Sequence, residues 1–415
     1  MTTDGAANER LGASQLVGEG SDHHCDAHAI QLCIEDVLGQ SSKLATCAEH
    51  RAVIRKAHSL VILINGHKDI HSEFSRLASL QRTVEDNARK FEALIINNET
   101  RWDSELAMLE RLVAFDPEVI QLYGNATLGI APDCILTRFE FDLAFALTLV
   151  LAPFRYFTKF VQQREAVTLA HVPRLIDELV TSLAPNAFND ALVGRTEGVG
   201  AAMNDFQAPL VASIKNRYGT MFNSPSLVRA AAFFLPGMRY RDFANFPNDD
   251  EDAIVTSVKE RIAADAENIL PPSDDKRART ARRARAALDE LREDLDELDP
   301  DDPTNDPLKW IPLKADARML FPVAKLYLGI PASSAEDERN FSSAGVTLDK
   351  LRSRLDIENF RSKHRVRRYL TAGSHAQTQD GRAFRQQRAE GLLQRFSERF
   401  GHPGAVEGAG RYDFA

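Results

Sequence analysis

The sequence predicts a mainly α-helical protein, and three features of the chain support this prediction. Apolar residues recur in steps of three and four, as in Phe74, Leu77, Leu80, Val84 and Ala88, which places them on one face of a helix. Alternation with a period of two, which is typical of half-buried strands, is nearly absent. The 23 phenylalanines against 7 tyrosines favour buried helix contacts, because Phe has no polar group to satisfy.

The predicted helices of the first third follow one another along the chain. Residues 27–38 form one helix and residues 51–97 contain two more, all with helical apolar spacing. Ser104 is expected to cap the next helix with its hydroxyl. Asp116 is expected to cap another, because Pro117 after it suits the first helical turn.

The middle of the chain predicts three further helices. A Phe-rich stretch over residues 135–163 is the longest, and Pro153 is expected to kink or divide it because proline lacks the amide hydrogen. Pro173 starts a helix that continues to Leu183. Residues 206–222 form the third.

Residues 247–306 differ in kind from the rest of the chain. They contain an acidic run from Asp249 to Asp252, a basic run from Lys276 to Arg285, and acidic residues again up to Asp306. Such charge segregation predicts a solvated helix or a disordered linker, and therefore a domain boundary. The Lys276–Arg285 run is either a nuclear localisation signal or part of a solvated helix.

Composition limits the function classes. The net charge of -9 argues against a surface coated with basic residues for nucleic acid, although it permits a local basic patch. Four cysteines in 415 residues are too few for a disulfide scaffold and fit a reducing compartment. No signal peptide and no segment of about 20 apolar residues is visible. We therefore expect a soluble protein with no membrane association.

The strongest motif lies between Trp310 and Leu370. It contains Phe321-Pro322, then a run from Leu328 to Ser342 that reads Leu-Gly-Ile-Pro-Ala-Ser-Ser-Ala-Glu-Asp-Glu-Arg-Asn-Phe-Ser, and then Leu351–Leu355, which reads Leu-Arg-Ser-Arg-Leu. This order resembles the C-terminal dimerisation segment of hAT-family DNA transposases. Agreement in order over about 60 residues is more specific than a single short motif.

Three earlier blocks resemble the same family in the same order. Thr3–Asn8 resembles the block that holds the second catalytic Asp, Cys25–His28 resembles the Cys-x-x-His block, and Thr100–Ser104 resembles the Thr-Arg-Trp-Asn-Ser block. The resemblance therefore extends over residues 3–370. One later block departs from the family, because Phe234–Gly237 stands where the family has Asp-Pro.

The resemblance implies a mainly α fold: a large helical insertion domain with a truncated RNase H-like (α/β) core remnant. The expected domains are residues 1–32 as the core remnant, 33–246 as the helical insertion, 247–306 as a charged linker, 307–372 as the dimerisation segment that completes the core, and 373–415 as a flexible tail.

The family cleaves DNA with two Mg²⁺ ions held by an Asp, Asp, Glu set, since hard cations take oxygen ligands. The resemblance assigns the second position to Asp4 and the third to Glu338, both as catalytic and metal-binding residues. Only three residues precede Asp4, which leaves no strand for the first Asp. We therefore expect this chain not to cleave DNA, and Mg²⁺ to bind only in a catalytically competent form. Asp4 as a terminal residue and Glu338 as a helix-face acid are the competing interpretations.

The resemblance also implies DNA contacts. Trp102 matches an aromatic that stacks on a flipped base, and His28 matches a residue near the scissile phosphate. Each has a structural alternative, a core tryptophan and a core histidine. Further expected phosphate contacts are Arg101, Arg339, Arg352 and Arg354. For Arg101, Arg352 and Arg354 the alternative is a solvated side chain.

A zinc site is a weaker alternative. Cys25 with His28 and Cys47 with His50 supply four soft ligands in two pairs. The second pair lies in no family block, so this interpretation has less support than the DNA contacts.

Dimerisation is the activity that the resemblance favours most. Apolar residues of the C-terminal segment are expected to meet those of a second copy, or alternatively to pack only within their own chain. The residues concerned are Phe321, Leu328, Ile330, Phe341, Leu351, Leu355 and Phe360, with Leu326, Leu348 and Ile357 as further candidates.

Three functions compete at this point. The first is a nuclear, transposase-derived protein that forms a homodimer or higher oligomer and associates with DNA without cleaving it. The second is an active transposable-element enzyme whose gene model lacks its N-terminal part. The third is a decayed fragment without a stable function.

Overall fold

A computed structural model describes most of the first 335 residues of the 415-residue chain. The described residues are 2–3, 23–39, 41–80, 94–96, 102–163, 166–236, 238, 243–247, 250–269, 277–298, 306–314 and 317–335. The chain divides into two compact units. Unit 1 comprises Met1–Ala29, Tyr156–Glu178 and Asn216–Glu398, and unit 2 comprises Ile30–Arg155, Leu179–Lys215 and Arg399–Ala415.

The described residues are mostly helical, which confirms the mainly α prediction. Their α-helices are α1 (Asp26–Leu38), α2 (Ala48–Gly66), α3 (Lys68–Leu80), α4 (Trp102–Ala114), α5 (Asp116–Tyr123), α6 (Arg138–Val161), α7 (Val172–Ser182), α8 (Val199–Phe222), α9 (Leu227–Ala232), α10 (Glu251–Ile269), α11 (Arg277–Asp296), α12 (Pro307–Trp310) and α13 (Phe321–Leu328). Short 3-10 turns connect several of them, at Ala45–Cys47, Ala126–Leu128, Pro132–Cys134, Leu169–His171, Asp190–Leu192, Ile311–Leu313 and Ala317–Leu320.

Strand structure within the described ranges is limited to one pair. Strands β1 (Thr2–Thr3) and β2 (His23–His24) run parallel, with Thr2 opposite His23 and Thr3 opposite His24. Both strands belong to unit 1.

In unit 2, α2 packs against α3 and α4, and α3 packs against α5. The spacing of three and four explains the contact, because α2 buries Val53, Ala57, Leu60 and Ile64 on one face. In α4 the buried positions include Leu106, Leu109 and Leu112, which recur every three residues along one side of that helix. These apolar faces form the core of the unit.

Two predicted helix caps are wrong. Ser104 does not cap α4, because that helix already begins at Trp102, and Asp116 is the first residue of α5 and not its cap. Of the two effects expected at Pro153, division of the helix does not occur, because α6 runs from Arg138 to Val161 with this proline inside it. Proline removes one backbone hydrogen bond, and the apolar burial of Phe154 and Phe157 just beyond it offsets that loss.

In unit 1, α10 and α11 pack against each other, and both come from the charged stretch that was expected to be solvated or disordered. Helix α10 buries Val258 and Ile262, while α11 buries Leu288, Leu291 and Leu295. An apolar stripe with helical spacing thus runs through a segment whose composition is dominated by charge. The described part of this segment is therefore packed helix.

Helices α9, α10 and α13 also contact one another in unit 1. The ring of Tyr327 on α13 lies 6.0 Å from that of Phe234, just after α9. No helix among the described residues has the length and apolar character that crossing a membrane requires.

Candidate functional site

Two segments that are far apart in sequence meet in unit 1 at the start of α1. The amide of Asp26 donates a hydrogen bond to the carbonyl oxygen of Ala332 at 2.9 Å. The carbonyl oxygen of Asp26 accepts one from the hydroxyl of Tyr218 at 3.4 Å. The first amides of a helix have no partner within the helix, so Ala332 satisfies one of these donors from outside. We call this group of residues, with Cys25, Thr168, Ser333 and Ser334, the Cys25 junction.

Side chains reinforce the junction. The thiol sulfur of Cys25 lies 3.4 Å from Oγ of Ser333 and accepts a hydrogen bond of 3.4 Å from the amide of Ser334. The hydroxyl of Thr168 accepts a hydrogen bond from the amide of Ala332 at 2.9 Å. Cys25, Ser333 and Ser334 are all buried. The turn after Pro331 is therefore fixed by polar contacts from two other segments.

The strand that leads into α1 is tied to the same place. Nε2 of His23 lies 2.6 Å from Oδ2 of Asp26, whose carboxylate is almost completely buried. Because His24 pairs with Thr3, the residues just before Asp4 are connected to the junction through β2. Buried carboxylates need partners of this kind, since an unpaired charge in the interior costs several kcal/mol.

The two predicted catalytic acids border these segments in sequence. Asp4 directly follows β1, and Glu338 comes three residues after Ala335, the last residue that the structure describes. Both acids lie outside the described residues. Within the described ranges, no three His, Cys, Asp or Glu side chains are grouped closely enough to hold a metal ion, so the zinc interpretation of Cys25, His28, Cys47 and His50 gains no support.

The predicted DNA-contacting residues differ in exposure. His28 is exposed on α1, so it is not the core histidine of the alternative interpretation. Trp102 is buried at 8% exposure as the first residue of α4, which agrees with a core tryptophan. Base stacking requires a free ring face, and this structure covers that of Trp102. Arg101, Arg339, Arg352 and Arg354 lie outside the described residues.

The predicted dimerisation residues on α13 also differ. Leu328 is buried at 3% exposure, while Phe321 and Ile330 are half-buried. Leu326 is 52% exposed and is the most accessible apolar side chain on this helix. Leu328 therefore packs within its own chain, and Leu326 remains accessible. The other predicted positions, Phe341, Leu351, Leu355 and Phe360 with Leu348 and Ile357, lie outside the described residues.

A hydrogen bond anchors α13 to α10. The hydroxyl of Tyr327 bonds to the carboxylate of Asp265. Burial, followed by the contact with Asp265, raises the pKa of Tyr327 above its ordinary value, so the phenol stays protonated and donates. This bond fixes the helix on which Leu326 is presented.

Arginines that the sequence analysis did not single out hold the helices of unit 1 together. Arg229 is almost fully buried and donates to Oε1 of Glu251 at 2.5 Å. Arg292 on α11 donates to the carbonyl oxygen of Phe233 at 2.9 Å and lies over its ring. Both arginine side chains connect segments that are distant in sequence. Arginine suits this role because its guanidinium donates in several directions at once.

The contacts of the Cys25 junction involve residues that spacing alone does not connect. Thr168 and Tyr218 belong to no block of the family resemblance, and no local pattern marks them. Cys25 and Ser333 each lie in such a block, so the resemblance is the one signal in the sequence that relates them.

Comparison with known protein families gives one match. Residues 287–362 match the model described as the hAT family C-terminal dimerisation region. The match begins within α11, continues through α12, α13 and the turn at the Cys25 junction, and ends beyond the described residues. No curated protein sequence matches the chain. Residues 287–362 are therefore similar to the C-terminal dimerisation region of hAT-family transposases, which supports a relationship of this chain to that family.

Proposed function

We propose that this transposase-derived protein forms a homodimer or higher oligomer through residues 287–362 and associates with DNA without cleaving it. The observation that supports this proposal most is the match of those residues to a dimerisation region. The described part of the region is folded against α9 and α10 of its own unit.

Exposed apolar side chains within the region supply surface for self-association. Leu326 is 52% exposed and Leu313 is 83% exposed. When a second copy covers large apolar side chains, the free energy of association becomes more favourable by roughly 25 cal/mol per Å² of apolar area removed from water. We propose Leu326 as the described contact on α13, together with the half-buried Phe321 and Ile330.

DNA association is the second part of the proposal. His28 is exposed in the first turn of α1, the helix whose first residue belongs to the Cys25 junction. An exposed imidazole can donate a hydrogen bond to a phosphate oxygen. We propose that His28 acts with Arg101, Arg339, Arg352 and Arg354 in such contacts. Trp102 is less suited in this structure because it is buried.

The absence of cleavage is proposed from the chemistry of the available carboxylates. A two-metal site needs several carboxylates with free oxygens. Asp4 and Glu338 are the proposed Mg²⁺ ligands. Asp26 is the described carboxylate at the Cys25 junction, but it is 1% exposed and bonded to His23. Asp26 therefore does not fit as a third ligand.

Association with DNA implies a nuclear location, which we also propose. The basic run of residues 276–285 is the candidate signal. Residues 277–285 are helical, and Nη2 of Arg285 lies 2.6 Å from a carboxylate oxygen of Glu260. A signal in this run would therefore depend on the arginines that precede Arg285.

A matched pair of variants tests self-association. Leu326→Asp places a charge in the proposed contact, whereas Val193→Asp alters a side chain that is 80% exposed and lies outside the dimerisation region. Sedimentation equilibrium should show the dissociation constant of Leu326→Asp rising about tenfold or more, with that of Val193→Asp unchanged. Equal dissociation constants for both variants would show that Leu326 does not lie in the interface.

DNA association is tested by fluorescence anisotropy with a labelled duplex at several salt concentrations. We expect binding that weakens steeply with salt, because phosphate contacts release counterions. His28→Ala should weaken binding, while His67→Ala, on an exposed histidine outside the predicted DNA contacts, should not. Absence of binding at low salt would overturn this part of the proposal.

A further inference from the structure

The solvent-facing side of α11 has an unusual distribution of charge. Its apolar side, with Leu288, Leu291 and Leu295, is buried. Exposed positions on the other side are Arg282 and Arg283 in the first half and Glu290 and Glu293 in the second half. The exposed Ala286 lies between the two groups. This side of the helix, from residue 282 to residue 293, is called the α11 charge face below.

This arrangement opposes the preferences of an isolated helix. A helix favours acidic residues near its N-terminus and basic residues near its C-terminus, because of its dipole. Helix α11 has no acidic residue in its first turn and no basic residue in its last turn. Glu290 and Glu293 are also like charges three residues apart, which destabilises a helix by a few tenths of a kcal/mol. Charges of opposite sign placed against this face would offset both effects.

A second copy of the same helix supplies such charges when it runs antiparallel. With Ala286 on the two-fold axis, Arg282 of one copy faces Glu290 of the other. This arrangement occurs twice by symmetry, because a two-fold interface uses the same surface on both copies. The small side chain of Ala286 permits a close approach at the centre.

We propose that the α11 charge face pairs antiparallel with the same face of a second copy, and that it determines the register and choice of partner in the dimer. This inference rests on the proposed self-association and adds the surface that directs it. The face adjoins the dimerisation region, which begins at Ala287 within the same helix. Complementary charges at an interface contribute to specificity and register more than to raw affinity.

Two complementary variants of the full chain test the pairing. Arg282→Glu makes the face acidic, and Glu290→Arg makes it basic. Each variant alone should dissociate at least about tenfold more readily than the wild type, because like charges then meet across the axis. An equimolar mixture of the two should form a heterodimer, since positions 282 and 290 of one chain are then both acidic and face two basic positions, 290 and 282, of the other. Differently tagged chains allow the heterodimer to be measured by co-purification and light scattering.

The control changes the net charge equally at another place. Arg55→Glu reverses one exposed cation on α2, outside the dimerisation region. It should dimerise as the wild type does. Circular dichroism of every variant establishes that each chain is folded before its mass is compared.

The outcomes separate the two proposals. A monomeric wild type contradicts the proposed self-association itself. A dimeric wild type whose two charge variants remain equally dimeric, or whose folded monomeric variants do not associate when mixed, overturns the α11 pairing and leaves self-association in place. Separate variants that are monomeric and a mixture that is dimeric establish the pairing.

Discussion

The thiol of Cys25 lies 3.4 Å from the hydroxyl of Ser333, although 308 positions separate the two residues in the sequence. The same sulfur accepts the amide of Ser334. One residue of the N-terminal block thus orients the turn through which the dimerisation region passes. The family match ends at residue 362, so this contact lies within the region and not at its margin.

The first prediction concerns this contact. Cys25→Ala leaves the buried amide of Ser334 without its sulfur acceptor, and an unsatisfied buried donor costs about 1–3 kcal/mol. Chemical unfolding should show a loss of that size in the free energy of unfolding. Cys134→Ala, at a half-buried cysteine in unit 2, is the control and should change stability by less than about 0.5 kcal/mol. Equal losses for both variants would contradict a structural role of the Cys25 contacts.

The second prediction concerns the buried carboxylate of Asp142 in unit 2. It accepts hydrogen bonds from Arg138, Arg195 and the amide and hydroxyl of Thr196. Asp142→Asn weakens these charge-assisted bonds and should destabilise the protein by about 3 kcal/mol. Asp190→Asn, at an exposed position, should have little effect on the melting temperature.

The same carboxylate predicts a dependence on acid. Burial raises the pKa of Asp142, but the hydrogen bonds from Thr196 and the two arginines together lower it by more than burial raises it. The net shift of this pKa is therefore downward. A depressed pKa in the folded state contributes stability that is present above the unfolded pKa, about 3.9, and is lost as the pH falls toward the folded pKa. Between pH 5 and pH 3 the wild type should therefore lose more stability than Asp142→Asn. Parallel losses would exclude this contribution.

The third prediction concerns His50, which stacks on Phe206 with ring centroids 5.0 Å apart. Burial lowers the pKa of His50 to about 4. Between the unfolded pKa near 6.5 and this value, the unfolded chain binds a proton that the folded chain excludes, so stability falls as the pH falls through that window. His50→Phe keeps the stacking and should flatten this part of the stability profile.

His67→Phe, at an exposed histidine at the end of α2, is the control for that experiment and should leave the profile as in the wild type. The measurement is the free energy of unfolding at half-unit steps from pH 7 to pH 4. An unaltered slope in His50→Phe would show that His50 is not the group responsible.

The fourth prediction concerns the attachment of α13. Tyr327→Phe removes the hydroxyl that bonds to Asp265 while keeping the ring beside Phe234. The loss should be about 1–2 kcal/mol, because the carboxylate loses a donor but can recover water at its half-buried position. Differential scanning calorimetry should give a lower melting temperature for Tyr327→Phe than for the wild type, and equal melting temperatures would contradict this attachment of α13.

The helical character was predictable from the sequence because apolar residues such as Leu60, Leu106 and Leu109 repeat with the helical period. The packing of α10 against α11 was not predicted, because the charged surface residues outnumber the apolar stripe of Val258, Ile262 and Leu288 that determines the contact. Local composition describes the whole surface of a helix, whereas packing depends on one face.

The candidate site was predictable only in part. The resemblance identified Cys25 and the turn at Ser333 as separate blocks, and the exposure of His28 and the burial of Trp102 both required the fold. Contacts such as that of Thr168 with Ala332 depend on how the whole chain closes, which no local spacing encodes. The assignments of Asp4 and Glu338 remain predictions from the resemblance.

The most direct test of the central claim is the molar mass of the full-length wild-type chain, measured by light scattering across a concentration series, beside Phe341→Asp. Self-association through residues 287–362 predicts a mass of at least twice the 46.2 kDa monomer and a reduced mass for the variant. A wild type that stays at the monomer mass at every concentration would contradict the claim.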